Sequence, residues 1–260
     1  MMKETLNIYA IQADLVWQDA QANRNQFDTY LQDAPSDSDV IIFPEMFTSG
    51  FTMHPELVAE TMDGTTIQWL KHWAEEKNAA ICGSLVISEN NTFYNRFVFV
   101  TPDGNIQQYD KRHTFNMAGE GEVYTPGTSR VIFTYEGWKI MAQVCYDLRF
   151  PVFSRNTEHY DVVLYVANWP KTRVAAWDTL LKARAIENMA YSIGVNRTGT
   201  DDNGLDYVGH SGVYDVLGNT CAFAKASEKT ITATLLKSHI ETTRKALPFL
   251  QDADDFELKL

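Results

Sequence analysis

Two short runs, Asp39-Val-Ile-Ile-Phe43 and Asp161-Val-Val-Leu-Tyr-Val166, are apolar without alternation, the pattern of strands covered on both faces. Strand-like and helix-like segments alternate around them. Residues 6–11 read as a strand, 20–32 as a polar helix, and 65–77 as a helix with Ile67, Leu70 and Trp73 on one face. Residues 79–88 and 93–101 read as neighbouring strands joined at Glu89-Asn-Asn-Thr92, and Pro102-Asp-Gly104 makes the next turn. Further on, 174–190 reads as a long helix with Trp177, Leu181, Ala185 and Met189 at its core-facing stripe. Strands are expected at 192–196, 213–216 and 231–235, with Leu217-Gly-Asn219 as a turn among them. The alternation predicts an α/β fold, and the lack of any repeat or linker predicts one domain over 1–260. The acidic stretch from Gln251 to Glu257 reads as a solvated end that Phe249 and Phe256 could anchor.

Composition narrows the function. A formal net charge of −12 disfavours nucleic acid and anionic membrane as partners. No apolar stretch is long enough to span a bilayer, and the N-terminus shows no signal-peptide core. Three cysteines without a C-x-x-C pair argue against a disulfide framework or a zinc knuckle and predict a reducing, cytoplasmic setting. The six histidines show no H-E-x-x-H spacing, so no metal is expected.

Three segments could carry chemistry. Trp138-Lys-Ile-Met-Ala-Gln-Val-Cys145 reads as a buried strand that ends on a thiol, and Pro151 suits the first turn of a following helix. A thiol at such a junction would be activated by the helix dipole and free N–H groups, which also cradle an oxyanion. Phe43-Pro-Glu45-Met-Phe47 puts a partly desolvated carboxylate just past a strand, a candidate general base. Tyr109-Asp-Lys-Arg-His113 offers Lys111 as a fixed cation for a thiolate or an oxyanion. Taken singly, these read as an inert core thiol, a loop carboxylate and a surface charge cluster. His113 reads as a structural, hydrogen-bonded residue, and Arg149 as structural too, at the start of a packed helix and paired with a carboxylate such as Asp147. Cys82 and Cys221 read as small core fillers.

A Glu, a Lys and a Cys in this order resemble the triad of the nitrilase superfamily of carbon–nitrogen hydrolases. Phe43-Pro-Glu45, Asp110-Lys111-Arg-His and Val144-Cys145-Tyr-Asp-Leu-Arg-Phe-Pro151 carry the likeness. Tyr165-Val-Ala-Asn-Trp-Pro170, Lys182-Ala-Arg-Ala-Ile-Glu-Asn188 and Pro248-Phe-Leu-Gln-Asp-Ala-Asp254 are similar to the omega-amidase branch, which hydrolyses 2-oxoglutaramate and 2-oxosuccinamate. The branch has a second active-site glutamate, matched best by Glu120, with Glu122 two residues away.

The resemblance implies a four-layer α-β-β-α sandwich that forms a homodimer through its helical faces, with 239–260 as a C-terminal extension at the interface. It implies catalysis without a cofactor: Cys145 attacks the amide of a small-molecule substrate, Glu45 is the base, and Lys111 with the Tyr146 N–H holds the oxyanion. Glu120 would orient Lys111 or help to position substrate. A 2-oxo acid amide carries a carboxylate at its far end, and Arg173 is the candidate to meet it, with Trp169 and Phe115 as pocket walls. Three other readings remain at this point: an amidase of carbamoyl compounds or aliphatic amides, a non-catalytic scaffold on the same fold, and a cysteine-based redox protein.

Overall fold

The computed structural model describes residues 3–227 and 229–259. The chain opens with a parallel unit of β1 (Thr5–Ile11), α1 (Ala20–Gln32), β2 (Val40–Ile42), α2 (Thr65–Lys77) and β3 (Ala80–Glu89). An antiparallel meander follows, of β4 (Thr92–Val100) and β5 (Ile106–Asp110). Asn90 and Asn91 both have positive φ (53° and 59°) in the β3–β4 turn, a conformation that asparagine tolerates better than most residues.

The middle of the chain holds α3 (Glu120–Val123), β6 (Ile132–Tyr135), β7 (Trp138–Val144), β8 (Val162–Ala167), α4 (Val174–Asn188) and β9 (Tyr191–Asn196). The last part contains β10 (Thr198–Thr200), β11 (Asp206–Val208), β12 (Gly212–Tyr214), β13 (Thr220–Phe223), β14 (Thr230–Leu236) and α5 (Lys237–Ala246).

These strands form two six-stranded mixed sheets, ordered β14-β1-β2-β3-β4-β5 and β13-β12-β9-β8-β7-β6, plus the small β10–β11 ribbon. Strand alternation sorts side chains between two apolar layers. Leu6, Ile8 and Ala10 of β1 join Val40, Ile42, Phe97 and Phe99 in the core that the second sheet shares through Ile140, Ala142, Val144 and Val166. Tyr9 and Ile11 point the other way and meet Phe27 and Leu31 of α1 and Ile67 and Leu70 of α2. On the second sheet, Trp177, Leu181 and Ala185 of α4 are buried as the sequence stripe predicts. Gly194 of β9 lets α4 approach: a Cβ there would lie 2.4 Å from Leu181 Cδ1. Two sheets flanked by helices make the α/β sandwich that the sequence led us to expect.

The main departure lies after Cys145. Residues Cys145–Arg149 form a single 3₁₀ turn, and Pro151 sits in the turn beyond it rather than opening a helix. A Cys145 φ of +46° reverses the chain at the strand end within one residue, where the sequence led us to expect a gradual strand-to-helix turn. Arg149 therefore ends a short turn and is exposed, and it does not pair with Asp147. Cys221 lies exposed on edge strand β13, so it fills no core, whereas Cys82 is fully buried.

Candidate active site

β2, β5 and β7 each stop just short of a polar residue: Glu45 follows Phe43 and Pro44, Lys111 follows Asp110, and Cys145 follows Val144. In both sheets these are carboxyl ends of strands, where an open α/β sheet gathers its functional groups. Met46 takes a φ of 44°, and its N–H is held by the Ser84 hydroxyl at 2.9 Å, which fixes the loop carrying Glu45. Lys111 N donates to Asn95 O at 3.0 Å, and Gly127 N donates to Lys111 O at 2.9 Å. A Cβ on Gly127 would sit 2.1 Å from Asp110 O, so only glycine allows that close backbone approach.

The side chains converge. Lys111 Nζ donates to Glu45 Oε1 at 2.9 Å and to both Glu120 oxygens at 2.9 Å, with all three residues buried. Asn95 Nδ2 bridges the same carboxylates, at 2.8 Å to Glu45 Oε1 and 3.2 Å to Glu120 Oε1. Phe115 N donates to Glu120 Oε2 at 2.5 Å. From the other sheet, Asn168 N donates to Glu45 Oε2 at 2.7 Å. The Cys145 thiol donates to Asn168 O at 3.9 Å, close to the Glu45 carboxylate. Glu122, the other candidate for the second glutamate, is exposed.

The electrostatics correct one expectation. Burial pushes the Cys145 thiol well above its usual value; the charges of Glu45 and Glu120 add to this, and Lys111 alone opposes. Burial is the largest of these effects, and the two carboxylates add to it against a single ammonium. Burial also pushes the Glu120 carboxyl up, against Lys111 and together with Glu45. For Lys111 burial disfavours the charge, but Glu120, Glu45 and Cys145 outweigh it and hold the ammonium above the ordinary lysine value.

A cavity of about 250 Å³ opens above this cluster, and Lys111, Cys145 and Asn168 lie in its lining. All four pocket residues picked from the sequence line it: Tyr146, Phe115, Trp169 and Arg173. Phe115 and Tyr146 meet edge to face at 5.0 Å, and the Arg173 guanidinium lies 5.1 Å over the Phe115 ring. Trp169 Nε1 donates to Arg173 O at 2.8 Å, which ties the wall to the cation. Arg149 also lines the cavity, 5.0 Å over Trp169, and among the described residues neither arginine makes an ion pair.

Sequence reasoning missed Asn95, Asn168, Arg149 and the wall formed by Asp201, Asn203, Leu205 and Tyr207. Asp201, Asn203 and Leu205 lie in the loop joining β10 to β11 and Tyr207 in β11, and three-residue strands carry too little periodicity to be read. Asn168 had a signal, since it follows an apolar strand just as Cys145 does. Among the described residues no group of three or more His, Cys, Asp or Glu side chains is arranged to hold a metal ion. No helix among them is long and apolar enough to cross a membrane.

A buried carboxylate–ammonium–thiol cluster at strand ends, opening into a small cavity, defines a cysteine-nucleophile hydrolase site on an α/β sandwich. The carbon-nitrogen hydrolase family model matches residues 8–245, and the chain belongs to that family. It is 46% identical to omega-amidase YafV of Yersinia enterocolitica, over 98% of this chain and 99% of that one. It is 29% identical to a 2-oxoglutaramate amidase of Bacillus subtilis, over 96% and 98% of the two chains. Among solved structures it is similar to a CN-hydrolase superfamily protein of Xanthomonas campestris with an arsenic adduct in its active site. That match has a TM-score of 0.96 and 40% identity, covering 98% of this chain and 100% of that one.

Proposed function

We propose that this enzyme hydrolyses the omega-amide of a 2-oxo dicarboxylic acid monoamide, such as 2-oxoglutaramate, to the dicarboxylate and ammonia. The observation that carries the reading is the Glu45–Lys111–Glu120 cluster beside the Cys145 thiol, under a cavity lined by Arg149 and Arg173.

The thiol proton passes to Glu45 as the sulfur attacks the amide carbon. The carbonyl oxygen becomes an oxyanion held by Lys111 and the Tyr146 N–H. The intermediate collapses with breakage of the C–N bond, Glu45 returns the proton to nitrogen, and ammonia leaves a thioester on Cys145. Water then gives a proton to Glu45 and attacks the thioester carbon; the C–S bond breaks and the sulfur regains a proton. Glu120 keeps Lys111 charged and fixed. Arg173 receives the distal carboxylate, and Phe115 and Trp169 wall the carbon chain.

Two further parts belong to this proposal. Exposed Ile186 and Leu217 on the α4 side, and Phe249 and Phe256 in the segment 239–260, support a homodimer with that segment at the interface. Three free cysteines support a reducing, cytoplasmic setting. Ammonia release from 2-oxoglutaramate, glutamine, succinamate and propionamide tests the substrate assignment. The oxo-acid amide is expected to lead by at least tenfold in kcat/KM, and equal turnover of propionamide would overturn the assignment. Light scattering on the eluting protein tests the dimer.

A further inference from the structure

Asp147 is fully buried, and its carboxylate takes four hydrogen bonds from two separate elements. Oδ2 accepts from Val144 N at 2.9 Å and from the Tyr109 hydroxyl at 2.8 Å. Oδ1 accepts from His113 N at 3.0 Å and from His113 Nδ1 at 2.7 Å. Val144 immediately precedes Cys145, while Tyr109 and His113 stand two residues either side of Lys111. The Tyr109 hydroxyl in turn accepts from Arg112 N at 3.0 Å, and the His113 ring lies flat on Phe150 at 3.8 Å. One carboxylate thus fastens the backbone before the nucleophile to the backbone around the cation. It does so where Cys145 occupies the left-handed φ of +46°, a conformation costing on the order of 1–3 kcal/mol that persists only when its surroundings impose it.

We propose that Asp147 is a positioning residue that sets the separation of the Cys145 sulfur from the Lys111 ammonium, braced by Tyr109 and His113. The inference rests on the catalytic roles given above to Cys145 and Lys111. Asp147 touches neither substrate nor reacting atoms, so its loss alters the chemical step more than binding. A misplacement of about 1 Å is enough to cost on the order of 100-fold in rate.

The test is steady-state ammonia release from 2-oxoglutaramate by Asp147→Asn, with the folded fraction of each preparation fixed by circular dichroism and gel filtration so that only folded protein is scored. An asparagine supplies one acceptor oxygen, so it cannot hold both pairs of donors. We expect kcat to fall about 100-fold with KM within about threefold. As a second, milder pair, Tyr109→Phe and His113→Asn retain the carboxylate and are each expected to lower kcat about tenfold at constant KM. The His113→Asn loss should be the smaller, because an asparagine amide restores a donor. A kcat within twofold of wild type for folded Asp147→Asn overturns the proposal. If that variant does not fold, an unchanged kcat in both milder variants overturns it equally. Cys145→Ala in the same assay keeps the two readings apart: turnover by that variant would overturn the catalytic reading itself.

Discussion

Asn168 grips Glu45 twice across the sheet interface: its N–H reaches Oε2 at 2.7 Å, and its Nδ2 reaches the Glu45 main-chain oxygen, also at 2.7 Å. The base projects from one sheet and its anchor from the other, so the sandwich itself holds the site together. Asn168→Ala would leave a buried carbonyl without a donor, at a cost of about 1–3 kcal/mol. We expect a lower Tm and a kcat about tenfold down with KM little changed. Wild-type kcat in this variant would show that Glu45 needs no such anchor.

Lys111 is the buried counter-charge to two carboxylates. Lys111→Met leaves them uncompensated, and breaking a buried pair in this way costs about 3–5 kcal/mol. The remedy available to the carboxylates is to take up protons. The stability deficit is therefore expected to be large at pH 8 and smaller at pH 5, read by chemical denaturation. A deficit equal at both pH values would contradict the charge argument. Activity should be lost by a further 100- to 1000-fold, as on removal of an oxyanion donor.

Arg173 should act on binding and not on chemistry. Its charge-assisted bonds to a carboxylate are worth about 1.5–3 kcal/mol, on the order of 10- to 150-fold in affinity. Arg173→Gln is expected to raise KM for 2-oxoglutaramate by that factor and to leave kcat/KM for propionamide unchanged. If the KM holds while Arg149→Gln raises it, the carboxylate is received by the other arginine of the cavity.

Cys82 and Cys145 are both held well above the ordinary thiol value, Cys82 by burial and Cys145 by burial and the neighbouring carboxylates. A raised folded-state value means stability that is whole below the unfolded thiol value of about 8.5 and is eroded as pH climbs beyond it. The Tm of the wild type is expected to fall between pH 8.5 and 10.5. Cys145→Ser lacks one of the two thiols and should lose less over the same span. Parallel curves for the two proteins would show that Cys145 ionises as freely in the fold as out of it.

The sequence exposed those parts of the site that stand at the ends of apolar strands. Glu45 and Cys145 each follow a buried run, and burial of that run leaves the next polar residue at the sheet edge, whereas Lys111 follows the polar strand β5 and was legible only from its place in the Glu-Lys-Cys order. The helix at 65–77 was legible for a similar reason, since its 3.6-residue stripe matches a layer that has to be covered. Arg149 was misread because Pro151 signals a helix start, whereas the chain closes a 3₁₀ turn before reaching it. The surroundings of the sulfur were misread because the sequence names the cation but not the burial and the two carboxylates that oppose it. Asp201 and Tyr207 were out of reach, since a ribbon of three-residue strands leaves no periodic trace.

The most direct measurement is mass spectrometry of the enzyme quenched in acid within milliseconds of mixing with 2-oxoglutaramate. The mechanism predicts a 2-oxoglutaryl group on the peptide bearing Cys145 in the wild type, and none in Glu45→Gln, where the sulfur has no base to take its proton. No acyl group on the wild type, an acyl group on a different residue, or full acylation of Glu45→Gln would contradict it.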